Sequence, residues 1–411
     1  MIPLSVPMLG GNELLYVNQA LTDGWVSSGG PSIPKFEDEF ACYSGVEYTA
    51  ACQSGTAAMH LALADAGVSP GDLVIAPTLT FIASVNPVSY VGAEPVFMDC
   101  DDSLCIDPDK LENYLHDECE SRDGGLWYDK SLGKPLKAII VVHVFGNTAD
   151  IERIIAISKA YNLILIEDAA EAVGTFYSSG VYAGKMAGSI GDYGVFSFNG
   201  NKIITTGGGG MLTSPESERV RHMRHLSTQA KIDEVYYMHD EIGYNYRMTN
   251  LQAAIGLAQL EQLEMFIDIK RNNYGLYNEL GIKLLPFRGG CRPNYWFYSY
   301  MCPITCAGGT NGSNSGNGGN GANNANGANG GGNNDIQYRD KLIRYLFNKG
   351  IQTRPIWGLC HEQPMYRNNR TYRIERAYDY HNRVVNLPCS TSLTEQDIRR
   401  VAEEIHAFAK Q

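Results

Sequence analysis

The sequence contains no uninterrupted apolar run of the ~18 residues that a membrane-spanning helix needs, so no membrane partner is expected. Its opening, MIPLSVPMLGGNE, has neither a basic start nor a long apolar stretch, so no secretory leader is expected. Basic charge is in deficit: 33 Lys+Arg stand against 45 Asp+Glu, a formal net charge of −12. Nucleic-acid binders normally carry a basic face, and that class is set aside. Acidity does not exclude an anionic small ligand, because backbone amides can hold phosphate locally. Paired cysteines are also missing. The ten cysteines are scattered, and the nearest pairs, Cys100/Cys105 and Cys302/Cys306, are not CxxC. No disulfide framework and no metal site is therefore expected. Scattered thiols fit a reducing, cytoplasmic setting. No Walker sequence and no dinucleotide fingerprint is present.

What is there suits a globular chain with a sizeable core. Apolar residues make up 44% of 411 residues, and roughly 150 residues per domain gives two to three domains. One tract stands apart: residues 307–334 hold 11 Gly and 10 Asn in 28 positions. Such a composition cannot bury enough surface to offset its ordering entropy, and reads as a mobile insertion. Elsewhere, apolar runs at Leu73–Ala76, Pro95–Asp99, Ala138–His143, Leu163–Glu167, Val195–Phe198 and Met211–Thr213 read as strands. Thr56–Ala66, Asp150–Tyr161 and Glu216–His225 read as helices between several of them. Continuous rather than alternating apolar strands imply a sheet buried on both faces, hence a largely parallel α/β domain. Leu251–Arg271 has the spacing of one long helix. Beyond it, a strand around Tyr295–Cys302 and helices at Asp340–Lys349 and Glu395–Ala409 suggest a smaller α+β domain. The expected division is 1–265 and 266–411, with the insertion in the second part.

Three segments could carry chemistry. Ser54-Gly55-Thr56-Ala57-Ala58 opens an Ala/Leu helix, and its free N–H groups could cradle a phosphate or simply form a cap. Asp168 follows an apolar strand, at the carboxyl end of the expected sheet, where ligands of open α/β sheets bind. It could face a cationic ring nitrogen, or cap a helix. Lys202, in Ser197-Phe198-Asn199-Gly200-Asn201-Lys202, precedes the glycines 207–210. A lysine desolvated there becomes a nucleophilic amine of the Schiff-base kind, although a plain surface lysine reads the same in isolation. Together the three describe pyridoxal phosphate (PLP), which needs a phosphate cup, a Schiff-base lysine and a carboxylate for its pyridine nitrogen. Phe81, in TLTF, is a candidate to lie flat on the ring.

The order SGTAA, TLTF, EDAAEAVG, FSFNGNK, TTGGGGM, GYNYR and NLQAA resembles the DegT/DnrJ/EryC/StrS group of nucleotide-sugar aminotransferases. The resemblance spans nearly the whole chain except the Asn/Gly tract. It implies the type I PLP-transferase fold, similar to aspartate aminotransferase, and a homodimer with shared active sites. It implies that Lys202 bonds the cofactor, Asp168 pairs with the pyridine nitrogen, and Glu171 lies near the phenolic oxygen. Phe81 takes the stacking position, and Gly55, Thr56 and Ser197 the phosphate positions. Asn245 would reach the neighbouring subunit's cofactor phosphate, and Arg247 that neighbour's substrate. FSFNGNKIITTGGGGM, His225–Lys231 and Gln352-Thr353-Arg354-Pro355-Ile356-Trp357 resemble the branch acting on UDP-linked 4-keto-6-deoxy sugars, as in bacillosamine and legionaminic acid synthesis. Trp25, Ser27, Ser28 and Arg354 would then lie by the sugar. Glu171 accompanies C4 amination in such sequences, and L-glutamate is the implied donor. GDP-perosamine and dTDP/UDP-viosamine synthases share most of these motifs and are the alternative. A PLP-dependent sugar dehydratase is a further one, against which Lys202 argues, since such 3-dehydratases carry His there. A sensor that only binds the cofactor or sugar nucleotide is disfavoured by the intact motifs.

Overall fold

The computed structural model describes residues 1–122, 125–233, 235–304 and 332–411. Its centre is an eight-stranded sheet. The order across it is Tyr48–Cys52, Gly210–Ser214, Tyr193–Ser197, Ile164–Asp168, Leu136–Val142, Leu73–Pro77, Glu94–Met98 and Thr371–Tyr372. Gly210–Ser214 pairs antiparallel with both neighbours, and every other pairing is parallel. Leu73–Pro77 and Tyr193–Ser197 are buried along their whole length. That is why these strands read as unbroken apolar runs: helices cover both faces. The six strands expected from sequence all appear in this sheet, within about two residues at each end.

The helix Ser32–Ser44 drives Phe36 and Phe40 against Phe196 and Phe198, with ring centroids 5.0–5.8 Å apart. The helix Asn250–Leu260 closes on Phe36 at Gly256, where a Cβ would stand 2.7 Å from the ring. Only glycine allows that approach.

A second sheet, of three strands, joins Tyr298–Met301, Val384–Leu387 and Arg354–Pro355, all antiparallel. Helices Gly332–Asn348 and Glu395–Ala409 belong to the same part of the chain. We propose the same two-part division as the sequence suggests; its nominal edge at 265/266 falls within the helix Leu263–Glu279.

Two expectations are corrected. The single long helix over Leu251–Arg271 is two helices, Asn250–Leu260 and Leu263–Glu279. At the join, Gln262 N–H bonds Gln259 O (3.1 Å), a three-residue turn that breaks the helical ladder. The side chains of Gln259 and Gln262 both donate to Glu13 there (2.5 and 2.8 Å). The helix expected from Asp340 starts at Gly332, so residues 332–334 of the Asn/Gly tract are helical. The rest of that tract, 307–331, lies outside the described residues. No helix among the described residues is long and apolar enough to cross a membrane.

Candidate active site

Five strand ends converge on one cavity of about 630 Å³. Cys52 leads into Ser54, Pro77 into Phe81 and Val142 into Phe145, while Asp168 and Ser197 are themselves terminal strand residues. This is the carboxyl edge of the parallel sheet, where strand ends leave polar groups facing a crevice.

The helix Gly55–Asp65 begins at its floor. Ser54 caps it, its Oγ accepting from Ala57 N–H (3.0 Å). The first-turn N–H groups of Gly55 and Thr56 have no acceptor within the helix and carry the positive end of its dipole. Gly55 is required by proximity: a Cβ there would stand 2.9 Å from Ser197 Cβ and 3.3 Å from Phe196 O. Ser197, Gly208 and Gly209 complete this corner.

Asp168 forms the opposite wall. Its Oδ1 accepts from Ala170 N–H (3.0 Å), and Ser84 hydroxyl bonds the same carboxyl. Burial pushes its pKa up, a shift that Ser84, Ala170, Lys202 and His143 only partly reverse. Behind it lies a buried pair. His143 Nε2 donates to Glu167 Oε2 (2.9 Å), while His143 Nδ1 accepts from Ala149 N–H (3.3 Å), so the tautomer is fixed. Burial raises the Glu167 carboxyl, but His143 and the N–H groups of Gly188, Ile190 and Gly191 hold it below its ordinary value.

Lys202 Nζ stands 3.4 Å from Glu171 Oε1 and 4.1 Å from the centre of the Trp296 ring. Glu171 is raised by burial, against the pull of Lys202 and of Phe145 N–H, which donates to its Oε2 (2.9 Å). Phe145 has φ +56, a left-handed backbone that aims this N–H into the site.

The structure thus brings together Gly55, Thr56, Phe81, Asp168, Glu171, Ser197, Lys202 and Arg354 around one cavity. Phe81 is 51% exposed, on the loop beyond its strand. Arg354 enters from the small sheet, its Nη1 donating to Thr353 O (3.0 Å). Five expected residues are not brought in. Asn245 is exposed, and Arg247 bridges Cys52 with its buried Nε lacking a protein partner. Trp25 borders a separate cleft, and the loop carrying Ser27 and Ser28 is tied to the Asn250 helix instead. Asn250 N–H donates to Ser27 O (2.7 Å) and its side chain to Trp25 O (2.9 Å). The strands Cys119–Arg122 and Leu126–Asp129 form a hairpin away from the cavity.

Sequence reasoning missed Trp296, Phe145, Ser84 and Asn294. Asn294 is fully buried; its Nδ2 donates to Glu171 O (2.8 Å) and Val173 O (2.9 Å), and its Oδ1 accepts from Trp296 N–H. It fixes the Trp296 backbone, while the indole Nε1–H donates to Asn201 O (2.7 Å). Scarcity was the available signal: of four tryptophans, Trp296 and Trp357 both line the cavity.

These residues fit PLP. The volume suits a small cofactor plus substrate. One cavity holds a buried carboxyl, a helix N-terminus and a lysine amine, groups that match a ring N–H, a phosphate and a carbonyl carbon.

The chain matches the DegT/DnrJ/EryC1/StrS aminotransferase family over residues 7–286 and 332–406. It is 36% identical to a GDP-perosamine synthase of Escherichia coli O157:H7, over 99% of this chain and 98% of that protein. A DegT DnrJ EryC1 StrS aminotransferase crystal structure from Brucella abortus superposes with TM-score 0.81, at 26% identity, covering 97% and 96% of the two chains. A Streptococcus pneumoniae chain solved in its PLP form gives TM-score 0.80 at 23% identity, covering 100% and 98%.

Proposed function

The chain belongs to the DegT/DnrJ/EryC1/StrS family of PLP-dependent sugar aminotransferases, with the type I transferase fold, and from that premise we propose that it moves the amino group of L-glutamate to C4 of a nucleotide-linked 4-keto-6-deoxyhexose. The product is a 4-amino-4,6-dideoxy sugar nucleotide for polysaccharide synthesis. The carrying observation is the setting of Lys202 Nζ, between the Glu171 carboxylate and the Trp296 ring, in a cavity closed by Asp168 and a helix N-terminus.

PLP, when bound, supplies an electrophilic carbon and a ring that takes up electrons. The residues divide the remaining work. Gly55, Thr56 and Ser197 hold phosphate; Asp168 keeps a proton on the ring nitrogen, as an anion in a dry wall favours a facing cation. Lys202 Nζ takes the α-proton of glutamate and later returns a proton to sugar C4. Glu171, 3.4 Å from Nζ, exchanges protons with it, and its raised affinity for a proton suits that role. Phe81 and Trp296 offer aromatic faces to the cofactor and substrate.

The nucleotide has two readings. The FSFNGNK and QTRPIW motifs favour UDP. Full-length similarity to a GDP-perosamine synthase favours GDP. A homodimer with shared sites accounts for the residues left outside the cavity. Leu14, Trp25, Tyr236 and Ile242 are exposed apolar side chains of the kind a second copy would cover. The nine described cysteines are unpaired, which supports a reducing, cytoplasmic setting.

The test is the visible spectrum of the PLP-loaded protein. L-Glutamate should bleach it, and one of the UDP- or GDP-linked 4-keto-6-deoxy sugars, 2-hydroxy or 2-acetamido, should restore it. The sugar that restores it selects the nucleotide and the C2 group. A spectrum indifferent to glutamate overturns the transaminase reading.

A further inference from the structure

Outside the cavity, two imidazoles and two carboxylates point at one another across a turn. His222 and His225 stand three residues apart on the helix Ser217–Ser227, hence on one face. Asp240 and Glu241 follow the small hairpin Lys231–Asp233 with Met238–His239. His225 Nε2 lies 2.7 Å from Asp240 Oδ1 and 3.6 Å from Glu241 Oε1. His222 Nε2 lies 3.0 Å from the same Glu241 oxygen. The donor atoms of His225, Asp240 and Glu241 all fall within 4.8 Å of one another.

We propose that His225, Asp240 and Glu241 bind a divalent transition-metal ion of the Zn²⁺ class, with His222 holding Glu241 in place, a site independent of the transaminase reading. Ligand bonds of about 2.0–2.1 Å put neighbouring donors of a tetrahedron roughly 3.3 Å apart. The His225–Asp240 and His225–Glu241 separations of 2.7 and 3.6 Å bracket that edge, and water would complete the shell. Imidazole with carboxylate is a donor set such ions accept, and two carboxylates balance the double charge.

A surface ion-pair cluster would show the same distances. A further feature separates the two. His222 Nδ1 is hydrogen-bonded to Asp65 Oδ1 (2.5 Å), and Asp65, 6% exposed at its side chain, also accepts from Tyr193 OH (2.6 Å). That carboxylate fixes the ring so that its Nε2–H donates to Glu241 Oε1 (3.0 Å), and His222 thereby holds a ligating carboxylate in place, the role outer partners play in metal sites. The acidic arm is also held: Asp240 N–H bonds Ala230 O, and Gly243 packs so closely on Gln229 and Ala230 that a Cβ would sit 2.3 Å from Ala230 N. A bound ion would fasten the end of the Ser217–Ser227 helix to the segment leading to Asn245 and Arg247.

The experiment uses tag-free full-length protein and Co²⁺ as the probe, followed by visible absorption. About one Co²⁺ per chain is expected, with ligand-field bands of a tetrahedral N/O site and no thiolate charge-transfer band. E241Q and D240N alter exposed side chains, and each should weaken Co²⁺ binding about tenfold or more. H222Q is an independent third variant with the same expectation. Zn²⁺ should raise the melting temperature of the unaltered protein and not of the variants. No stoichiometric uptake, uptake equal in all variants, or a charge-transfer band marking a cysteine site would each overturn the proposal.

Discussion

Asp168 and Glu171 hold their carboxyls in the cavity wall above the ordinary range because burial penalises the charge. A carboxyl raised in the folded state costs stability once ionised, and that stability returns only as pH falls through the folded value. Asp168→Asn should therefore stabilise the cofactor-free protein by ~1 kcal/mol at neutral pH, since the amide still accepts from Ala170 N–H. The same change should cut turnover by orders of magnitude. Thermal melts and steady-state rates check both, and a loss of stability would contradict the burial argument. Lys202→Ala should abolish turnover while leaving the melt nearly unchanged. At this scale the motif residues were legible because Asp168, Glu171, Ser197 and Lys202 lie at strand ends within 35 consecutive positions (202 − 168 + 1). Trp296 and Asn294 were not, because they arrive from 92 positions and more beyond Lys202 (294 − 202) and no local pattern links them.

Between elements, Asp99 is a tether. It follows the strand Glu94–Met98 and accepts from the N–H groups of Glu375, Arg376 and Ala377 (2.8–2.9 Å) at the start of the helix Arg376–Arg383. Lys110 Nζ adds an ion pair at 2.7 Å. Burial alone would raise this carboxyl; Lys110 and the three N–H groups more than offset it and hold it below its usual value. Its contribution is thus present above the unfolded carboxylate value, near pH 4, and is lost as pH falls through the lowered folded value. Asp99→Ala should destabilise by roughly 3 kcal/mol at neutral pH and less in acid. Denaturant titrations at both pH values check the sign. Strands and the last helix were legible from periodicity. The break at Gln262 was not, because it is made by side chains reaching Glu13, with no glycine or proline to mark it.

At the scale of the whole molecule, the proposed shared site makes a distinct claim. If Lys202 acts with the partner's Arg247, subunits carrying Lys202→Ala and subunits carrying Arg247→Ala should each be inactive alone. Mixed in equal amounts, half the dimers are hybrid, and each hybrid has one intact site, so about a quarter of full activity should appear. Co-refolding and assay check this, and no recovery would place Arg247 in its own subunit's site. Assembly of this kind was legible only by resemblance, because nothing in the periodicity of one chain says what covers Leu14 or Tyr236.

The sheet also records an order in time. Its last strand, Thr371–Tyr372, pairs with Glu94–Met98, and the N-terminal segment likewise waits on late residues, with Ile2 N–H bonded to Gly350 O and Leu4 O accepting from Cys389 N–H. From Met98 to Tyr372 is 274 residues (372 − 98), roughly 15–55 s of translation. For that interval the nascent chain carries an open, apolar strand edge as it leaves the ribosome. The demand for chaperones should fall there, and the chain should be most prone to self-association when synthesis stalls before residue 372.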